Sequence, residues 1–340
     1  FLLSVVAFSA SARTLIYESA PTTITYDLSL LPEGQTTVHF PFPANGLVSM
    51  MPDYEYGVKL TEAEFVIDWG GGACQSVYGE DYVEKFASCD YGTNFGTKTV
   101  SARIRVYDSD GVIEEVGPDG QAYIDWIADI ENRYSVGYTS SPVSVDHGFH
   151  IHPDSAASVT SVGSLGLPYT AVSFVNTTNL QSIPSALPPK TTLLASAFEN
   201  SGYSGSISWD TSNVTDMRSM FEGATSFNQP VNFDTANVTN MSGMFNGASS
   251  FNQPVNFDTS SVKTMSFMFS GASSFNQPLN FDTSSVRGME YMFNGASSFN
   301  QQVNFNTSSV TDMSRMFSGA TAFNQPVNFD TSSVTDMSYM

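Results

Sequence analysis

The sequence predicts a mixed fold: an N-terminal β-sandwich followed by a C-terminal α/β solenoid of short helices and short strands. Three observations predict it. From Trp209 onward the chain repeats one phrase every 24 residues, with Phe227, Phe251, Phe275, Phe299 and Phe323 marking the beat. The N-terminal half instead clusters or alternates β-branched and aromatic residues between Gly, Pro and Asp turns. Between them, residues 118–157 fit neither pattern. A fixed period of this length means stacked units, each burying its apolar face against its neighbours.

In the N-terminal half, strands are expected over 22–31, 37–42, 65–69 and 99–107, giving a β-sandwich over 14–117. The connecting region 118–157 is expected to hold a short helix near 123–130.

One repeat, 210–233, shows the expected unit. Val214, Met217, Met220 and Phe221 lie at helical spacing, with Thr215 or Asp216 as N-cap and Gly223 just past the end. Phe227 leads through Asn228, Gln229 and Pro230 into Val231, Asn232 and Phe233. Their alternation suits a short strand, with Val231 and Phe233 on one face. The same slots recur as Met241/Met244/Phe245, Met265/Met268/Phe269, Met289/Met292/Phe293 and Met313/Met316/Phe317. The Met pairs admit a metal-binding reading. Packing accounts for them better, because Met fills irregular gaps and sits well against aromatic rings. Asn232, Asn256, Asn280, Asn304 and Asn328 are expected to stack as a ladder, outside or in a turn, with ligand binding as the other reading.

An imperfect copy precedes these units. Leu194, Ala197 and Phe198 match Met217, Met220 and Phe221 at a spacing of 23, and Leu180, Ile183 and Leu187 sit among prolines before it. Residues 158–209 therefore read as atypical capping repeats, and 210–340 as the regular array, which ends in mid-repeat.

These residues resemble the BspA-like leucine-rich-repeat surface proteins. The shared phrase reads here Val214-Thr215-Asp216-Met217, Met220-Phe221, Gly223-Ala224, Phe227-Asn228-Gln229 and Phe233-Asp234, and the resemblance covers roughly 158–340. It implies a leucine-rich-repeat-type solenoid, an extracellular or surface location, and a role in adhesion or protein binding. It implies no catalytic residues. Further upstream, Phe65-Val66-Ile67-Asp68-Trp69-Gly70-Gly71-Gly72 resembles the signature of a PKD-type immunoglobulin-like domain, with Gly71 where that family carries Asp. The run from Val100 to Gly111 resembles that domain's final strand and exit turn.

Cys74 and Cys89 are the only cysteines, and a disulfide between them is expected, with two buried free thiols as the alternative. Such a closed loop would stabilise the fold by roughly 3 kcal/mol in the chain-entropy picture. Asn-x-Ser/Thr sequons at Asn176, Asn213, Asn237, Asn240 and Asn306 are candidate glycosylation sites. The net charge of −21 disfavours nucleic acid and anionic membranes as partners.

Residues 1–13 read as a signal-peptide remnant, with Ala10-Ser11-Ala12 as the small-residue cleavage site. The other reading is an N-terminal donor strand, in which Phe1, Leu2, Leu3, Val5, Val6 and Phe8 contact a neighbouring subunit. No other stretch is long enough to span a membrane.

Metal candidates are sparse. His150 and His152 have a spacing that places two imidazoles on one strand face, but the segment reads as a linker without a fourth ligand. Asp108 and Asp110 could begin a calcium loop, yet the regular third acidic residue is missing, so a solvated acidic turn fits better. No nucleophile elbow, P-loop or dinucleotide fingerprint occurs. The expectation is an extracellular structural protein without cofactor or catalysis, a subunit of a glycoprotein assembly or filament that pairs with itself. The alternative is a cell-surface adhesin that binds protein or glycan ligands.

Overall fold

The computed structural model describes residues 14–18, 22–31, 37–40, 62–68, 87–90, 96–108, 149–150, 156, 159–164, 171–188 and 191–340. In the N-terminal half, β2 (Thr22–Asp27), β4 (Glu62–Asp68) and β6 (Thr97–Asp108) carry the main sheet, with β1 (Thr14–Glu18) and β8 (Val159–Ser164). β6 is the long central strand. It pairs antiparallel with β4 on one side, and with β2 and then β1 on the other. β3 (Thr37–Phe40) and β5 (Ala87–Asp90) form a separate antiparallel pair. β7 (Phe149–His150) and β9 (Val172–Ser173) pair in parallel.

This corrects the expected β-sandwich. Among the described residues there is one five-stranded antiparallel sheet, and no second sheet is shown packed face to face on it. The strand expected over 22–31 stops at Asp27. The Asp27 carboxylate accepts from the Ser29 N–H at 3.0 Å and turns the chain into a single 3₁₀ turn, Leu28–Leu30. The helix expected near 123–130 lies outside the described residues.

β8 joins the sheet to the repeats. One edge pairs antiparallel with β2, while Ser161 bridges Ser182 in parallel. Val162 N–H donates to the Ser182 carbonyl at 3.0 Å, and Gln181 N–H to that of Thr160 at 2.9 Å. Ile24, Tyr26, Val100, Val159 and Val162 belong to the same continuous core as the repeat residues Phe174, Phe198 and Phe221.

The repeats form a stack of coils, not an α/β solenoid with helices. Single parallel bridges run Ala171–Leu193–Asp216–Asn240–Thr264–Gly288–Asp312–Asp336. The segment expected to be helical sends alternate N–H groups to the next coil. Met217, Ser219, Phe221 and Gly223 donate to the carbonyls of Asn240, Ser242, Met244 and Asn246 at 2.7–3.0 Å. The intervening Met220, Glu222 and Ala224 close tight turns back to Met217, Ser219 and Phe221. An α-helix would keep those donors for bonds four residues back within the segment. Ser219 (φ 53°) and Gly223 (φ 65°) also take left-handed conformations, which interrupt any helix. The spacing misleads because this turn buries Met217, Met220 and Phe221 much as a helix face would. The expected strand at Val231 is likewise reduced to one bridge, Val231 to Val255.

Burial follows the repeat. Met217, Met220, Met241, Met244, Met265 and Met268 are inaccessible to solvent. Phe198, Phe221, Phe245, Phe269, Phe293 and Phe317 stack in one column at 5.4–5.8 Å. Phe227, Phe251, Phe275, Phe299 and Phe323 form a second column beside it. Between columns, rings of one coil lie 4.1–4.2 Å apart. Offset aromatic contacts of this kind add about 0.5–1.5 kcal/mol each beyond area burial.

Candidate interaction ribbon

Polar rows pin the register of the stack. Thr211, Thr235, Thr259, Thr283 and Thr307 are buried, and each hydroxyl donates to a backbone carbonyl one coil on, at 2.9–3.0 Å. Asn252, Asn276, Asn300 and Asn324 each donate a backbone N–H, at 2.9 Å, to the side-chain oxygen of the matching Asn one coil earlier. Gln253, Gln277, Gln301 and Gln325 donate to the same oxygens at 3.0–3.1 Å. The asparagine ladder is thus the Asn228 series. The expected series, Asn232, Asn256, Asn280, Asn304 and Asn328, is exposed.

Against this regular interior, one row stands out. Ser219, Gly243, Phe267, Tyr291, Arg315 and Tyr339 occupy the same place in successive coils, and all are left-handed, with φ between 53° and 64°. Gly243 takes that conformation at no steric cost. A residue bearing Cβ is disfavoured there by about 1–2 kcal/mol. The chain nevertheless places large side chains in four consecutive coils. Phe267 stacks on Tyr291 at 4.5 Å, and the Arg315 guanidinium lies over Tyr291 at 5.6 Å and over Tyr339 at 4.6 Å. Phe267 is 37% exposed, and Tyr291 and Arg315 are half-buried.

Charge gathers beside this row. From 191 to 340 the cationic side chains are Arg218, Lys263, Arg287 and Arg315. All lie between the buried Val and the second buried Met of their coils. Arg218 pairs with Asp216 at 3.5 Å. Lys263 and Arg287 are exposed and form no ion pair with a described residue. They occupy adjacent coils, because Arg287 N–H donates to the Lys263 carbonyl at 2.9 Å. In the next two coils the bridged row carries Asp312 and Asp336. Their carboxylates accept from the N–H of Ser314 and Ser338 at 2.8 Å. The ribbon is thus cationic at one end, anionic at the other, and aromatic along its length.

In a separate acidic row, Asp210, Asp258, Asp282 and Asp330 are exposed. Hydrogen bonds from the hydroxyl and N–H of the serine two residues on hold these carboxyls below the ordinary value of 3.8. Asp336 is lowered in the same way by Ser338.

The other sequence candidates are scattered. Asn176, Asn213, Asn237 and Asn306 are exposed, and Asn240 is half-buried with its side-chain oxygen accepting from Ser242 N–H at 3.0 Å. The Asn237 side-chain amide donates to the Ser212 carbonyl at 2.8 Å. Cys89 sits in β5 opposite Val38, and Cys74 lies outside the described residues. Asp108 ends β6 opposite Thr14, and His150 pairs with Ser173. Asp110 and His152, like Phe1, Leu2, Leu3, Val5, Val6 and Phe8, lie outside the described residues. Among the described residues no group of three or more His, Cys, Asp or Glu could hold a metal ion. No helix there is long and apolar enough to cross a membrane.

The family model described as "Mycoplasma protein of unknown function, DUF285" matches residues 192–303 and 279–340. The likeness covers the coil stack and a little under half of the chain. No curated protein and no solved structure matches.

Two of these features are missed from sequence. The ribbon row varies from copy to copy, so a search for the repeated phrase discards it. Its signal is that variability itself, concentrated at one slot among otherwise constant neighbours. The threonine row is constant, but threonine reads as surface when in fact it is buried.

Proposed function

We propose that the chain is a non-catalytic extracellular structural protein, a subunit of a surface assembly or filament that works through protein–protein contacts of its coil stack. The observation that carries this reading is the left-handed row Phe267, Tyr291, Arg315 and Tyr339. Bulky residues held in a disfavoured backbone conformation and left partly exposed serve something other than folding. Tyr and Arg, with other aromatics, are the residues that dominate protein interfaces. The continuous core from sheet to stack suits a subunit that transmits load. The resemblance to BspA-like surface proteins supports the extracellular location.

The adhesin reading, in which the ribbon takes another extracellular protein, is favoured by the same residue types. Electron microscopy of the undenatured full-length protein at neutral pH separates the two. Regular multi-subunit particles or filaments support the assembly. Discrete monomers that capture extracellular-matrix proteins support the adhesin. Discrete monomers that capture none contradict both.

A further inference from the structure

The ribbon is self-complementary when its coil order is reversed. Along the stack, Lys263 and Arg287 are followed by Asp312 and Asp336, each set in adjacent coils. Three or four residues further on in the same coils come Phe267, Tyr291, Arg315 and Tyr339. Consider a two-fold axis lying across the ribbon, between the coil of Tyr291 and the coil of Arg315. It sets Lys263 opposite Asp336 of a second copy, and Arg287 opposite Asp312 of that copy. It also sets Phe267 opposite Tyr339, and Tyr291 opposite Arg315. Lys263, Arg287, Asp312 and Asp336 each meet an opposite charge, while Arg315 meets a ring and Glu290 meets the uncharged Ser314. A parallel alignment would set cation against cation and acid against acid.

We infer that the ribbon is a homotypic docking surface, on which a second copy of this chain packs antiparallel about that two-fold axis. This rests on the reading of the chain as an assembly subunit and names the contact. An isologous contact of this kind closes on itself as a dimer. The ligand class follows from the ribbon's own charges. They balance locally, with Glu290 beside Tyr291 adding one more acid, so a polyanion or polycation gains little there. In the ring column one face of Phe267 is taken up by Tyr291, and Arg315 lies over Tyr291 and Tyr339. That suits an interdigitating protein surface better than the flat face of a sugar. Four coils at a ladder spacing of about 4.8 Å span roughly 15–20 Å. A patch of that length and similar width covers roughly 300 Å², below a standard interface of about 800 Å² per partner, so the dimer forms with concentration and weakens with salt.

The position of the charges makes the inference separable from folding. The Lys263 slot carries Thr215, Thr239, Thr311 or Thr335 in other coils, and the Asp312 slot carries Asn240, Thr264 or Gly288. Neither slot needs its charge to build the coil.

The test is sedimentation velocity of the full chain from about 1 µM to about 500 µM at low and high salt. Wild type is expected to pass from monomer to dimer across the series. The K263E/R287E double variant is expected to stay monomeric at every concentration, as is D312K/D336K. An equimolar mixture of the two is expected to form dimers again, because each cation then faces an acid. Wild-type-like circular dichroism and a cooperative melt show that the variants fold. Wild-type dimers that survive K263E/R287E overturn this inference but leave the assembly reading standing, on another surface. Wild type that stays monomeric throughout overturns the inference, and if microscopy also shows no assemblies the reading falls with it.

Discussion

The Thr235 hydroxyl donates at 2.9 Å to the backbone carbonyl of Asp258, one coil further along the stack. Thr235 is buried, so its polar group has no water to turn to. The same bond recurs in each coil and ties the start of one unit to the start of the next. Replacing Thr235 with Val keeps the shape and removes the donor. The expected loss is about 1–2 kcal/mol, from the carbonyl left unsatisfied. Thr235→Ser is expected to retain most of the stability. Urea unfolding followed by circular dichroism measures both, and a Val variant as stable as wild type would show that the row contributes nothing.

Asn276 and Asn280 are four residues apart and predicted to behave differently. The Asn276 side-chain oxygen accepts from Asn300 N–H at 2.9 Å and from Gln301 at 3.0 Å, while Asn280 is exposed. Asn276→Ala is expected to cost about 1–3 kcal/mol. Asn280→Ala is expected to stay within about 0.5 kcal/mol of wild type. Thermal unfolding of the two variants side by side reads the difference, and equal effects would reassign the ladder.

Left-handed positions differ in what they tolerate. Gly271 has φ +66°, and an added Cβ would lie 3.4 Å from the Gly247 Cα. Gly271→Ala is expected to lose about 1–2 kcal/mol. Tyr291→Gly works the other way. It removes a similar backbone penalty and gives up the ring stacked on Phe267, so stability is expected to change by less than about 1 kcal/mol. Calorimetry of both variants checks this. A large loss in Tyr291→Gly would mean that the tyrosine is there for stability rather than contact.

The acidic row predicts a pH dependence. Asp210, Asp258, Asp282, Asp330 and Asp336 are held below the ordinary 3.8 by serine hydrogen bonds, although Asp282 pushes Asp258 upward. A carboxyl whose pKa is lower folded than unfolded stabilises the fold above the unfolded value. That contribution is lost as pH falls through the folded value. The melting temperature is therefore expected to be flat from neutral pH down to about pH 5 and to fall below about pH 4. Asn306 occupies the same row and accepts from the Ser308 N–H at 3.2 Å. Replacing Asp210, Asp258, Asp282 and Asp330 with Asn should therefore keep the turns and flatten the acid limb. An unchanged acid limb in that variant would place the titrating groups elsewhere.

Much of the interior is legible in the sequence. The period, the buried Val, Met and Phe slots and the imperfect copy at Leu194 all follow from apolar spacing, which records which side chains face inward. The backbone's form does not follow. Met217, Met220 and Phe221 can turn inward from a helix or from a coil that bonds to its neighbour. Only the destination of each N–H tells them apart, and sequence spacing does not encode that. Asn228 and Asn232 are similarly indistinguishable by residue type, although one bonds along the stack and the other faces solvent. The strands over 62–68 and 97–108 are visible as β-branched runs, but the partner each strand chooses, and so the five-stranded sheet seen among the described residues in place of a sandwich, is a long-range property.

The measurement that bears most directly on the central claim is sedimentation velocity of wild type beside Y291G/R315G, at equal high concentration and low salt. The account predicts species larger than a monomer for wild type and monomer alone for the variant, with both equally folded. Identical sedimentation of the two proteins would contradict it.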